Sequence, residues 1–207
     1  MDFRHPIEAV IPGAQGKVLG ALLRTSGELN LRNLARVAGV SIAQASRVLP
    51  QLVELGIVER QEVPPSSLFS LVPEHIAVRP LLELSNPRRA LMRAISGAVV
   101  NINPTPVSIV AFGSFARGDG SIESDIDLVV VRPALTDAED EDWFLSLEEW
   151  RTHLQRVAGN DIEILEVGED KIAAKLGSTS QVWRDIRRDG QLVHGKPLEE
   201  ITRRPNA

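Results

Sequence analysis

From Val107 to Val131 the chain reads V-S-I-V-A-F-G-S-F-A-R-G-D-G-S-I-E-S-D-I-D-L-V-V-V. An apolar run meets a Gly-Ser pair, a polar stretch follows, and a second apolar run opens on two aspartates. Apolar runs this short, rich in β-branched residues and bounded by glycine, suit buried strands. Side chains two apart on a strand share a face, so Asp125 and Asp127 project together. Two carboxylates so placed repel each other unless a cation lies between them. Hard oxygen ligands at this spacing suit Mg²⁺ or Mn²⁺, and magnesium bridges triphosphate oxygens. Gly113 permits close approach of a backbone to a phosphate, and the N–H and hydroxyl of Ser114 can donate to it. Arg117 brings a positive charge for the same phosphate.

This stretch resembles the G-S-x(n)-D-x-D signature of the polymerase-beta-like nucleotidyltransferase superfamily. Its spacing is closest to the minimal nucleotidyltransferases, and the likeness covers about residues 90–195. The resemblance implies transfer of a nucleoside monophosphate from an NTP to a hydroxyl, with release of pyrophosphate. It places the triphosphate on Gly113 and Ser114, with Arg117 and Ser124 in the nucleotide-binding set, and two metal ions on Asp125 and Asp127. The expected cofactor is Mg²⁺ or Mn²⁺, and ATP is the default NTP. It also implies a third carboxylate on a later strand, near the acceptor hydroxyl. Asp161-Ile162-Glu163-Ile164-Leu165 is the suitable acidic strand. The family's apolar–acid–apolar–apolar pattern fits Glu163 best, as catalytic residue and metal ligand, with Asp161 the alternate. The family usually has Asp there, and Glu is one methylene longer. Val182 to Val193 resembles the helix and final strand that close such domains; it can place Arg184, Arg187 or Arg188 near the nucleotide or acceptor, with most of them expected to face solvent.

The first half is organised differently. Helical spacing predicts helices over Gln15–Arg24 and Leu31–Val40, with Gly39 at a tight turn. Ser41 caps a third helix with Ile42, Ala45, Val48, Leu49, Leu52 and Leu55 inward. Pro50 lies inside that helix and should bend it. Two short strands, Ile57–Glu62 and Leu68–Val72, flank the turn at Val63–Ser67. Leu34 to Arg60 resembles the helix-turn-helix core of winged-helix bacterial transcription regulators. The resemblance implies a third helix free to enter a major groove, with Ser41, Gln44, Ser46, Arg47 and the wing residue Arg60 facing DNA, and Ser66 near the backbone. Winged helices also serve as dimerisation or docking modules, and a homodimer is the default expectation.

Further along, helices are expected over Glu74–Ser85, interrupted by Pro80, over Asn86–Asn101, over Asp137–Val157 and over Ser180–Arg188. Asn103-Pro104-Thr105-Pro106 marks a loop. The expected fold is α+β: a winged helix-turn-helix domain over 1–85, then a nucleotidyltransferase domain over 86–207 with a mixed sheet flanked by helices.

Composition trims the alternatives. The chain has 207 residues and no cysteine, which excludes disulfides, thiolate zinc sites and a cysteine nucleophile. No apolar run approaches the roughly 20 residues of a membrane helix, and no leader pattern opens the chain, so a cytoplasmic protein is expected. His5, His75, His153 and His194 have no ligand spacing, and Trp143, Phe144 and Trp150 read as core. The net charge is −5, yet residues 1–85 carry eight basic and eight acidic side chains. The deficit therefore lies wholly in the half with the aspartate pair, and strong nonspecific DNA binding by the first half is not expected. The leading function is a metal-dependent nucleotidyltransferase acting on a protein, RNA or small-molecule hydroxyl, with a toxin–antitoxin partner plausible for this class. The alternative is a DNA-binding regulator whose nucleotidyltransferase domain only senses nucleotide.

Overall fold

The computed structural model describes residues 1–202, and it separates into two compact units. One is Asp2 with Arg4–Pro87; the other is Met1, Phe3 and the chain from Arg88 onward.

In the first unit, α1 (Pro6–Val10), α2 (Ala14–Arg24), β1 (Leu29–Asn30), α3 (Leu31–Ala38) and α4 (Ile42–Glu54) precede β2 (Val58–Val63), β3 (Ser66–Leu71) and α5 (Val78–Leu84). The helices form because their apolar residues recur on one face. Val18, Leu19, Leu22, Leu34, Ala35, Ala45, Leu49 and Leu52 are buried together with Val58 and Phe69. Removing each large side chain of this set from water contributes about 1.5–3 kcal/mol. Asn30 caps α3 by accepting from Asn33 N–H at 2.9 Å.

Gly39 ends α3 with φ of 63°, a left-handed conformation that an L side chain resists. A Cβ there meets no atom within 4 Å, so the cost of Gly39→Ala is conformational alone. Denaturant unfolding followed in the first unit is expected to show a loss of about 1 kcal/mol.

Several expectations need correction here. The wing has three strands in the order β1-β3-β2, because Leu29 and Asn30 pair with Phe69 and Leu68. Two residues carry no alternation, so this strand leaves no periodic signal. Helix α4 runs through Pro50 to Glu54 without a break. Pro50 lies on the exposed side, where water can serve the carbonyl of Ser46. Ile42 and Leu55, expected inward, are 49% and 57% exposed. They stand at the first and capping positions of α4, before and after the turns that meet the core. The helix expected over Glu74–Ser85 is only α5, with Pro80 in its first turn, where its missing N–H costs nothing.

The second unit comprises α6 (Pro87–Ala98), β4 (Ser108–Phe112), α7 (Gly113–Arg117), β5 (Ile126–Arg132), α8 (Glu141–Ala158), β6 (Ile162–Gly168), α9 (Ile172–Leu176), α10 (Gln181–Asp189), β7 (Gln191–Gly195) and α11 (Leu198–Ile201). The sheet order is β6-β5-β4-β7, with β5 and β6 parallel and the other pairs antiparallel. It is the expected mixed sheet flanked by helices. One face buries Ile109, Ala111, Leu128 and Val130 under Ile95 of α6 and Trp143, Trp150 and Leu154 of α8. The other buries Val110, Val129, Val131 and Val167 against Ile172, Trp183, Ile186 and Leu198.

The long helix starts at Glu141, not Asp137, because the Asp140 carboxylate accepts from Trp143 N–H at 2.9 Å and caps it. Phe144 is 57% exposed rather than core, since its neighbour Trp143 takes the inward position. The polar turn expected after Gly113 opens instead as α7, which buries Phe115 and Ala116.

Candidate active site

Strand register assembles the site. In the parallel pair, Asp127 of β5 stands opposite Glu163 of β6. Where both strands begin, Ile126 N–H donates to the Asp161 carbonyl at 2.9 Å. Ile126 and Ile162 point into the core. Alternation therefore sends Asp127 and Glu163 to the face of Val129 and Leu165, at its open end. Asp125 and Asp161 precede each by two residues and are exposed. Four carboxylates thus belong to the starts of β5 and β6.

Beside them β4 ends, with Phe112 paired to Asp127. The chain then turns through Gly113 at φ of 70° into α7. A Cβ on Gly113 would collide with the Asp127 carboxylate. Glycine here answers both the backbone angle and the close approach of Asp127. The Ser114 carbonyl accepts from the N–H groups of Gly118 and Asp119, each at 3.0 Å. The Ser114 hydroxyl has no hydrogen-bond partner among the described residues.

The Asp127 carboxyl is held above its ordinary value, first by burial and then by the charges of Asp125 and Glu163, while Arg117 pulls it down. The raised value means that the folded chain binds a proton there more tightly than the unfolded chain does. Stability from this group is therefore present at low pH and lost as pH rises through the raised value. In metal-free protein, Asp127→Asn is expected to raise the melting temperature at pH 7. The gain should shrink as pH falls towards the ordinary 3.8, which paired thermal scans at the two pH values check.

The loop carrying Asp125 is held by a residue that the sequence did not flag. Asn160 is buried, and its side-chain N–H₂ donates to the carbonyls of Ser121, Ile122 and Ser124 at 3.2, 3.4 and 2.9 Å. Ser124, expected in the nucleotide set, turns its hydroxyl inward to accept from Ser121 N–H at 2.9 Å, closing the turn. A polar pocket of about 400 Å³ lies here, lined by Ser124, Asp125, Gln155, Asn160 and Asp161 among others.

Arg117 leaves α7 towards two carboxylates. Its Nη1 donates to Asp189 Oδ2 at 2.9 Å and its Nε to Asp119 Oδ2 at 3.3 Å. Arg187 donates to the carbonyls of Leu176 and Ser178, and Arg184 to Gln181.

Among the described residues, no group of three His, Cys, Asp or Glu side chains is gathered to hold a metal ion. The expected triad of Asp125, Asp127 and Glu163 is therefore not assembled as a ready cage. The donor set still fits Mg²⁺ or Mn²⁺. These ions are commonly bound by one or two carboxylates together with substrate phosphates. Burial and then mutual repulsion lift the Asp127 carboxyl, and a divalent cation would relieve the repulsion.

In the first unit, Ser41, Gln44, Ser46 and Arg47 are exposed on α4. Ser41 and Gln44 are also tied to each other. Gln44 N–H donates to Ser41 Oγ at 3.1 Å and Ser41 N–H to Gln44 Oε1 at 2.9 Å, a capping box. Gln44 keeps its amide N–H₂ for other partners. Arg60 is engaged by Glu62 at 2.6 Å and Ser67 at 3.1 Å. A groove of about 870 Å³ runs between α4 and the wing, past Ile42, Pro50, Val53, Arg60 and Phe69.

Comparison with known proteins matches residues 92–182 to the nucleotidyltransferase domain family and residues 16–62 to the IclR helix-turn-helix domain family. No curated protein matches the sequence. Solved structures with similarity include a toxin–antitoxin with AMP-PNP, at 21% identity and a TM-score of 0.38, over 53% of this chain and 79% of that one. A mutant of the MntA-HpeT toxin–antitoxin matches at 18% identity and a TM-score of 0.37, over 53% and 79%. TrmBL2, an archaeal chromatin protein, matches at 14% identity and a TM-score of 0.30, over 90% of this chain and 75% of that one. Among the described residues, no helix is long and apolar enough to cross a membrane.

Proposed function

We propose that this chain, a nucleotidyltransferase domain preceded by an IclR helix-turn-helix domain, moves an NMP from an NTP to a hydroxyl acceptor in a metal-dependent reaction. The observation that carries this reading is the convergence at one sheet end. Gly113 abuts Asp127, and Asp127 stands beside Glu163.

The chain's own groups then have these roles. Asp125 and Asp127 would hold one or two Mg²⁺ or Mn²⁺ ions, with Glu163 next in reach and Asp161 the alternate. A bound divalent ion supplies charge neutralisation to the phosphates. Gly113 leaves room for a phosphate at the turn, and the free Ser114 hydroxyl donates to its oxygen. Arg117 offsets further negative charge. The acceptor oxygen attacks the α-phosphorus as the bond to the bridging oxygen breaks and pyrophosphate leaves. The acceptor's proton passes to an Oε of Glu163. The polar pocket beside Asp125 and Asp161 has room for part of the acceptor. Catalysis of this kind rests on positioning and charge rather than on covalent work by the protein. ATP is the default donor.

The helix-turn-helix domain brings the enzyme to DNA or to a protein partner. Ser46 and Arg47, exposed and outside the capping box, are the base- or phosphate-facing residues, with Ser41, Gln44 and Arg60 at their flanks. Binding to a duplex from the protein's own promoter region, titrated with salt, tests this part. A specific complex that weakens as salt rises supports DNA docking, and no complex at low salt favours a protein partner.

Incubation with each of the four NTPs and Mg²⁺ tests the whole reading. Pyrophosphate release that stops on chelation of the metal is expected, and its absence with every NTP would refute the transferase.

A further inference from the structure

Arg117 and Asp189 are separated by 72 residues, yet they form the shortest polar contact of α7 with α10. The Asp189 side chain is only 10% exposed, while that of Arg117 is 40% exposed. Asp189 is also gripped by its neighbour, since Arg188 donates to Oδ1 at 2.8 Å and to Oδ2 at 2.7 Å. Its carboxyl is accordingly pulled down to about 2, first by Arg188 and then by Arg117. Arg188 alone therefore satisfies Asp189, and the bond to Arg117 is not needed to neutralise it.

What that bond fixes is the arginine. Arg117 has a long side chain whose rotamer freedom would otherwise be lost only when a ligand binds. In the structure its Nε is spent on Asp119 and Nη1 on Asp189. Nη2 has no hydrogen-bond partner among the described residues. Arg117 ends the helix that opens at Gly113, and the Asp127 carboxylate lies against that glycine. The base of Arg117 is clamped as well. The Ala116 carbonyl accepts from Gln191 Nε2 at 2.8 Å and from Arg88 Nη1.

We propose that Asp189 is a positioning residue for the nucleotide: from the end of α10 it holds the Arg117 guanidinium at the end of α7, with Nη2 left to meet a triphosphate oxygen. This rests on the transferase reading above. If the ion pair served stability alone, its loss would leave nucleotide affinity unchanged. A positioning pair acts through Arg117, and its loss appears only where Arg117 is present.

The test is a calorimetric titration of the full chain with Mg²⁺ and α,β-methylene-ATP, a donor that cannot be transferred. Asp189→Asn is expected to weaken binding about tenfold, the size of one oriented charge-assisted contact. Asp189→Glu should recover most of the loss. In an Arg117→Gln background, Asp189→Asn should change affinity less than about twofold. In turnover with ATP, the same variant should raise KM far more than it lowers kcat. Cooperative thermal unfolding establishes that each variant is folded, and Asp189→Ser replaces Asp189→Asn if the latter is not. Wild-type affinity in Asp189→Asn, or the full tenfold loss in the Arg117→Gln background, would overturn the assignment while leaving the transferase reading intact. A wild-type chain that binds none of this probe and transfers from no NTP overturns both.

Discussion

Replacing Asp125 and Asp127 together by asparagine should abolish NMP transfer, by at least about 1,000-fold, without unfolding the second unit. The reason lies in the strand. Both carboxylates project from one face at the start of β5, and neither has a salt-bridge partner among the described residues. Their loss therefore removes no structural contact that stabilises the sheet. The β5 side chains that do support it, Ile126, Leu128, Val129, Val130 and Val131, remain fully buried. Asparagine keeps the shape of each side chain and discards the charge that a divalent cation needs. Transfer is followed by labelled NMP, and integrity by thermal unfolding. Because Asp127 is pushed towards protonation in the metal-free chain, the double variant should melt no lower than wild type at neutral pH.

The second large effect separates the two acids of β6. Glu163→Gln is expected to lower kcat by about 100-fold or more, the range in which a positioned general base contributes. Asp161→Asn should cost only a few-fold. Glu163 is paired in register with Asp127 and its charge acts on that carboxyl. Asp161 stands before the strand, 3.5 Å from Gln155 Nε2, and its carbonyl serves Ile126 N–H. The reverse ranking would make Asp161 the third carboxylate.

Much of this site is legible in the sequence because its central signal is local. Asp125 and Asp127 lie two apart at the start of β5, and Gly113 and Ser114 follow directly on β4. The spacing alone places both pairs at strand ends. The same locality gave the capped start of α4 at Ser41 and the buried faces of α2, α3 and α4. What was not legible depends on pairing across the fold. Arg117 meets Asp189 only because β7 runs back along β4 and sets α10 beside α7. Asn160 reaches three carbonyls of the 121–124 turn only because β6 lies parallel to β5. A lone Asn after a helix-ending glycine carries no mark of that duty. Helix α7 was hidden for a different reason. Its five residues sit between Gly113 and Gly118, too few for a helical period to show. Phe144 misled because an aromatic beside Trp143 reads as core, although successive helix positions cannot both point inward.

The most direct measurement follows the label. The chain is incubated with Mg²⁺ and ATP carrying label on the α-phosphorus or, in parallel, on the γ-phosphorus, together with candidate acceptors. The proposed reaction moves the α-label onto an acceptor and releases the γ-label as pyrophosphate, and both cease in the Asp125→Asn/Asp127→Asn chain. Transfer of the γ-label, or equal α-labelling by wild type and the double variant, would contradict it.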